Sequence, residues 1–144
     1  MNSNIDSIMK ELTSDPYYVD VNGCVNVDGD VEQLEEMTEI PVQFGEVTGN
    51  FYCNGTMITS LRHAPREVGG NFRCYDTQIT SLKGSPREVG GGFNCWNTLI
   101  TSLLGAPIFV GGGFNCRGTM ITSLKGAPRE VGCDFSCSST KIIP

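Results

Sequence analysis

Five cysteines recur at one interval. Cys53, Cys74, Cys95, Cys116 and Cys137 stand 21 residues apart, and thiolates stacked at such a spacing could in principle hold a soft metal ion. The local pattern argues for packing instead. There is no C-x-x-C, and the one short pair is Cys133-x-x-x-Cys137. The total of seven is odd, and no apolar leader precedes the acidic stretch from Met1 to Leu12. Reduced, buried thiols in a cytosolic protein are therefore expected, with no metal and no cofactor. His63 is the single histidine, and it occupies a turn position held by Gly84, Gly105 and Gly126 in the other copies. Alone it completes no nucleophile–base pair. Asp28-Gly29-Asp30 is too short for a calcium loop, and the glycine runs lack the Lys and Ser/Thr of a phosphate loop. No catalytic residue emerges, and no enzymatic activity is expected.

The interval belongs to the whole chain. Residues 58–78 read ITSLRHAPREVGGNFRCYDTQ, 79–99 ITSLKGSPREVGGGFNCWNTL, 100–120 ITSLLGAPIFVGGGFNCRGTM and 121–141 ITSLKGAPREVGCDFSCSSTK; a weaker copy, MTEIPVQFGEVTGNFYCNGTM, precedes them at 37–57. In each copy Phe and Cys lie two apart, as in Phe93-Asn94-Cys95, which puts both on one face of a short strand. Ile100, Leu103 and Val110 add to that apolar face. One such unit cannot bury its face alone, but stacked copies can, so a solenoid with a short parallel sheet follows. No ten-residue helix fits between strands, and an irregular, non-helical back is predicted. The glycine pairs before each strand suggest positive φ at a tight corner. The threonines at 56, 77, 98, 119 and 140 suggest hydroxyls bonded to the turns of neighbouring coils.

Alternation then defines what faces outward. One column reads Tyr52, Arg73, Asn94, Asn115, Ser136 and the next Asn54, Tyr75, Trp96, Arg117, Ser138. Tyr, Trp and Arg dominate the energetics of protein interfaces. Tyr52, Arg73, Tyr75, Trp96 and Arg117 are accordingly the expected protein-binding residues. The copy at 100–120 breaks the pattern, with Leu104 for lysine and Ile108-Phe109 for Arg-Glu. These three form a second contact or dimer patch, or else Phe109 fills a local gap or folds under the N- or C-terminal cap.

The motifs carry a resemblance. The strand core of the leucine-rich repeat, L-x-L-x-x-N-x-L, is matched by Phe93-x-Cys95-x-x-Thr98-x-Ile100 and equally from Phe51, Phe72, Phe114 and Phe135. The short unit looks like the bacterial class found in secreted ubiquitin-ligase effectors. The segment S-L-x-G-A-P-x-E-V-G-G-x-F-x-C is closer to leucine-rich-like repeat proteins of large tailed bacteriophages. Those often open with V-D-G-D-V, here Val27 to Val31. The resemblance implies a phage protein acting in the host cell cytoplasm on a host bacterial protein, such as a defence factor, as inhibitor or adaptor. A structural or self-assembling phage protein is the alternative. The consensus Asn is Thr in all five copies, which predicts a locally different turn. A ligase domain would need more chain than 144 residues leave.

Terminal coils need covering. Asn4 to Leu12 reads as an amphipathic helix with Ile5, Ile8, Met9 and Leu12 on one face and Asn4 as its cap. Tyr17 to Val31 alternates around Asn22-Gly23, the pattern of a hairpin. Residues 1–36 are thus expected to form a helix-and-β cap, and 37–144 five repeats and a short tail in one continuous domain. Residues 1–40 hold ten acids against Lys10, a balance of −9, while the remainder carries +3, giving −6 overall. That acidity argues against nucleic-acid binding, and no run of 18 apolar residues suggests a membrane span. A homo-oligomer through the C-terminal edge stays open.

Overall fold

The computed structural model describes residues 2–32 and 34–142; Met1, Gln33, Ile143 and Pro144 lie outside the described residues. The short tail can therefore be followed only to Ile142, which packs half-buried against the core.

Helix α1 spans Asn2–Leu12. Its apolar residues fall at i, i+3, i+4 and i+7, so Met9 and Leu12 are fully buried and Ile5 and Ile8 pack beside them. The helix begins two residues before Asn4, which therefore sits in the first turn and is not the cap. At the other end Glu32 donates its amide to the Leu12 carbonyl at 3.0 Å, tying the helix to the cap strands. Among the described residues no helix is long and apolar enough to cross a membrane.

Strands β1 (Tyr17–Val19) and β2 (Val25–Val27) form the expected antiparallel hairpin, with Tyr17 opposite Val27. Gly23 turns it at φ +82°. Asp20 holds the turn by accepting from Asn26 Nδ2 and from the amides of Asn22 and Cys24. These bonds, that from Asn26 foremost, hold its carboxyl below the ordinary value against an opposing desolvation.

After β3 (Phe44–Val47) every coil contributes two short strands rather than one. The Phe-x strands are β4 (Phe51–Tyr52), β6 (Phe72–Arg73), β8 (Phe93–Asn94), β10 (Phe114–Asn115) and β12 (Phe135–Ser136). They make a five-stranded parallel sheet whose registers step by one repeat, Phe72 against Phe93 and Phe93 against Phe114. The back is not wholly irregular. Strands β5 (Glu67–Val68), β7 (Glu88–Val89), β9 (Phe109–Val110) and β11 (Glu130–Val131) continue β1, β2 and β3 into a seven-stranded second sheet. The fold is a parallel β-solenoid of about five turns with one N-terminal helix.

Three packing rows hold the coils. Phe51, Phe72, Phe93, Phe114 and Phe135 stack with ring centroids 5.1–5.5 Å apart, and Phe44 closes the row edge-on to Phe51. Beside them Cys53, Cys74, Cys95 and Cys116 are fully buried, as are Ile58, Ile79, Ile100 and Ile121. The threonines at 56, 77, 98 and 119 are buried too, but each bonds the carbonyl of the cysteine three residues back in its own coil, at 2.8–2.9 Å. They close turns within coils rather than between them.

Bonding between coils through side chains occurs elsewhere. Asp15 Oδ2 accepts the amide of Asp30, Asp30 Oδ1 that of Asn50, Asn50 Oδ1 that of Asn71 and Asn71 Oδ1 that of Gly92, all at 2.7–2.8 Å. The glycine pairs also have a different reason from the expected one. Gly69, Gly90, Gly111 and Gly132 do not take positive φ. A Cβ on any of them would run into the main-chain carbonyl of the preceding coil, at Thr48, Gly69, Gly90 and Gly111 respectively. The backbones meet there, and only glycine fits.

Candidate binding surface

The strand β4 to β12 sheet has its Phe and Cys faces inside, so the residues between and after them emerge on the other side. Short strands suffice for this because each coil copies the hydrogen-bond register of the last. Tyr52, Arg73, Tyr75 and Trp96 are half-buried and Arg117 is exposed. The expected residues come together in two groups. The Arg73 guanidinium lies over the Tyr52 ring, 4.4 Å from its centroid. The Tyr75 and Trp96 rings stack 5.1 Å apart at 19°. Such pairing favours these ring orientations.

Arg117 behaves differently. Its repeat position would place it over Trp96, but its Nε donates to Ser138 Oγ one coil further on, at 2.9 Å. Beyond Trp96 a recess of about 450 Å³ opens, lined by Trp96, Asn97, Asn115, Arg117, Gly118 and Ser139. Asn115 uses Oδ1 to accept the Arg117 amide at 3.0 Å, as Asn94 Oδ1 does for the Trp96 amide at 3.2 Å. A shallower trough of about 280 Å³ runs between Asn71 and Asp134 across Gly92 and Gly113. It exists because both positions lack the side chain that Asn50 and Asn71 carry. The lining residues Asn71, Gly92, Gly113 and Asp134 were not singled out by alternation, since the position lies before the strand. The replacement of Asn50 and Asn71 by Gly92 and Gly113 at that position is the available signal.

Leu104, Ile108 and Phe109 are exposed, at 57%, 41% and 39%. Ile108 and Phe109 belong to the second sheet and its approach, where Phe109 stands in register between Glu88 and Glu130. They do not fold beneath a cap.

His63 takes φ +77°, the conformation its glycine counterparts adopt at +92° to +94°. Its Nδ1 lies 3.2 Å from the Ile40 carbonyl, a contact that helps hold the ring in that turn. All seven cysteines are unpaired: the four central ones are buried, Cys24 and Cys137 half-buried and Cys133 exposed. Burial pushes the Cys53, Cys74 and Cys95 thiols well up and that of Cys116 to about 12. Neutral thiols of this kind are packing groups rather than nucleophiles. Among the described residues no three His, Cys, Asp or Glu side chains gather as a metal site.

The chain matches no protein-family model, no curated protein and no solved structure.

Proposed function

We propose that this chain is a non-catalytic binding solenoid whose Phe-x sheet presents Tyr52, Arg73, Tyr75, Trp96 and Arg117 to another protein. The observation that carries the reading is the Tyr75–Trp96 stack beside the Arg73–Tyr52 pair. Aromatic rings lose little side-chain entropy on binding and fill interface centres efficiently, and an arginine already held against a ring, as Arg73 is, loses less than a free one. The resemblance of the repeat to phage proteins directs the proposal at a host bacterial protein met in the host cytoplasm, which binding would inhibit or redirect.

The test is capture from bacterial lysate by tagged protein, read by mass spectrometry, against a Tyr75→Ala, Trp96→Ala double variant. One stoichiometric bacterial protein, lost with the variant, supports the reading. Equal capture by both baits removes the sheet from it. A second reading, self-assembly, is favoured by the exposed Leu104, Ile108 and Phe109 patch. Mass in solution that rises with concentration, and falls with Phe109→Lys, would support that reading.

A further inference from the structure

The recess beyond Trp96 is a missing rung. Each coil adds one residue to the column Asn54, Tyr75, Trp96, Arg117, Ser138, at a spacing of about 4.8 Å set by the parallel ladder. Tyr75 covers one face of the Trp96 indole. The other face borders the recess, because Arg117 has turned toward Ser138 and Gly118 supplies no side chain. At the positions equivalent to Gly118, the two preceding coils carry Asp76 and Asn97, joined by a bond from Asn97 Nδ2 to Asp76 Oδ1 at 2.5 Å. That row stops at Gly118.

Donors and one positive charge dominate the polar groups around the gap, against the Oδ1 of Asn97, whose Nδ2 is given to Asp76. Arg117 commits Nε to Ser138, and among the described residues neither Nη has a protein acceptor. Asn115 spends its Oδ1 on the Arg117 amide and keeps its NH₂ as a donor. Ser139 adds a hydroxyl. Arg117 is the one charged residue in the lining. A planar group fits the open indole face at stacking distance. A carboxylate fits the donors, and the Arg117 charge disfavours a cation there despite the attraction of an indole for cations. Asp76, one coil back on the Tyr75 side, directs the acid toward the Arg117 side.

We infer that this recess receives an aromatic side chain of the partner flanked by an acidic residue, the ring stacking on Trp96 and the carboxylate meeting Arg117. The inference rests on the protein-binding reading and specifies the chemistry of that partner's contact segment.

Trp96 is the single tryptophan, so its emission reports this site alone. The probe is the peptide acetyl-Asp-Phe-Asp-amide, titrated into the whole chain. The expected result is a saturable change in Trp96 emission that weakens about tenfold or more in Arg117→Ala and at high salt. Peptides with Leu for Phe, or Lys for both Asp, should bind about tenfold more weakly or worse. Gly118→Asn fills the gap without disturbing the coil. Asp76 and Asn97 hold the same turn at φ +54°, Gly118 is at +67°, and an added Cβ would sit 3.7 Å from its nearest neighbour. It should also abolish the emission change, with circular dichroism unaltered.

No saturation up to about 10 mM peptide would overturn the inference. So would equal binding of the Leu peptide, or full binding by both Arg117→Ala and Gly118→Asn. Peptide failure with lysate capture still lost in the Tyr75, Trp96 double variant would leave the interface reading standing. Peptide binding with nothing captured would support the recess and count against that reading.

Discussion

Asn71 accepts the amide hydrogen of Gly92 on its Oδ1 at 2.8 Å, reaching across one complete coil. Its own amide is held in the same way by Asn50 Oδ1. Two successive amides therefore depend on side chains from the coil before. Asn71→Ala leaves the Gly92 amide without that acceptor and should cost about 1–3 kcal/mol, read by urea unfolding. Gly92→Asn should do the reverse. Its φ is not positive, and the added Cβ would lie 3.3 Å from the Gly113 carbonyl, a close but adjustable contact. A new acceptor for Gly113 and a stiffer unfolded chain should together raise stability by about 1 kcal/mol. A loss of stability would show that the corner needs glycine there as well.

The phenylalanine row makes a graded prediction. Phe93 is fully buried between Phe72 and Phe114, whereas Phe135 is half-buried with one stacked neighbour. Phe93→Ala should cost about 3–5 kcal/mol, and Phe135→Ala distinctly less. Equal losses would mean that the last coil is as firmly packed as the central ones.

The first glycine of each pair should be the least replaceable small residue. A methyl on Gly90 meets the Gly69 carbonyl, a backbone atom that cannot move without moving a coil. Gly90→Ala should destabilise by about 2 kcal/mol or more, while Gly55→Asn, at φ +69° with nothing within 4 Å, should be nearly neutral. Thermal unfolding of the pair checks this.

The cysteines predict alkaline sensitivity. Thiols raised in the folded state stay protonated while those of the unfolded chain ionise, so the unfolded state binds fewer protons and stability falls with pH. The fall begins near 9, the ordinary value, and for Cys116 runs to about 12. Each buried thiol adds a slope of about 1.4 kcal/mol per pH unit in that range. A thiol reagent at neutral pH should modify Cys133 first, and the four central cysteines only on unfolding. Prompt reaction of all seven would contradict the burial.

Much of this was legible because the repeat is nearly exact. Phe93, Cys95, Ile100 and Leu103 declare their inward face by spacing alone, and so do Tyr75 and Trp96 their outward one. The second sheet was not legible, since a two-residue strand such as Glu88–Val89 has no periodicity to read. The inter-coil role of Asn50 and Asn71 was hidden for another reason. Their copies at 92 and 113 are glycine, so the row is interrupted in the sequence before it is visible as a row. Gly90 is legible as special, but its cause is not, because close approach of two backbones and a left-handed φ select the same residue. The turn of Arg117 toward Ser138 depended on a side-chain torsion, which no spacing encodes.

The coils join through one invariant register, and this has a consequence at the level of the gene. Residues 79–84 and 121–126 read ITSLKG, and PREVG recurs at 65–69, 86–90 and 128–132. Near-identical segments in tandem invite unequal exchange between copies. Removal of residues 79–99 would set Phe72 against Phe114 and Cys74 against Cys116 with the ladder intact, yet would erase Trp96 outright. The outward residues of such a sheet would therefore be inherited in units of 21 codons, gained or lost whole.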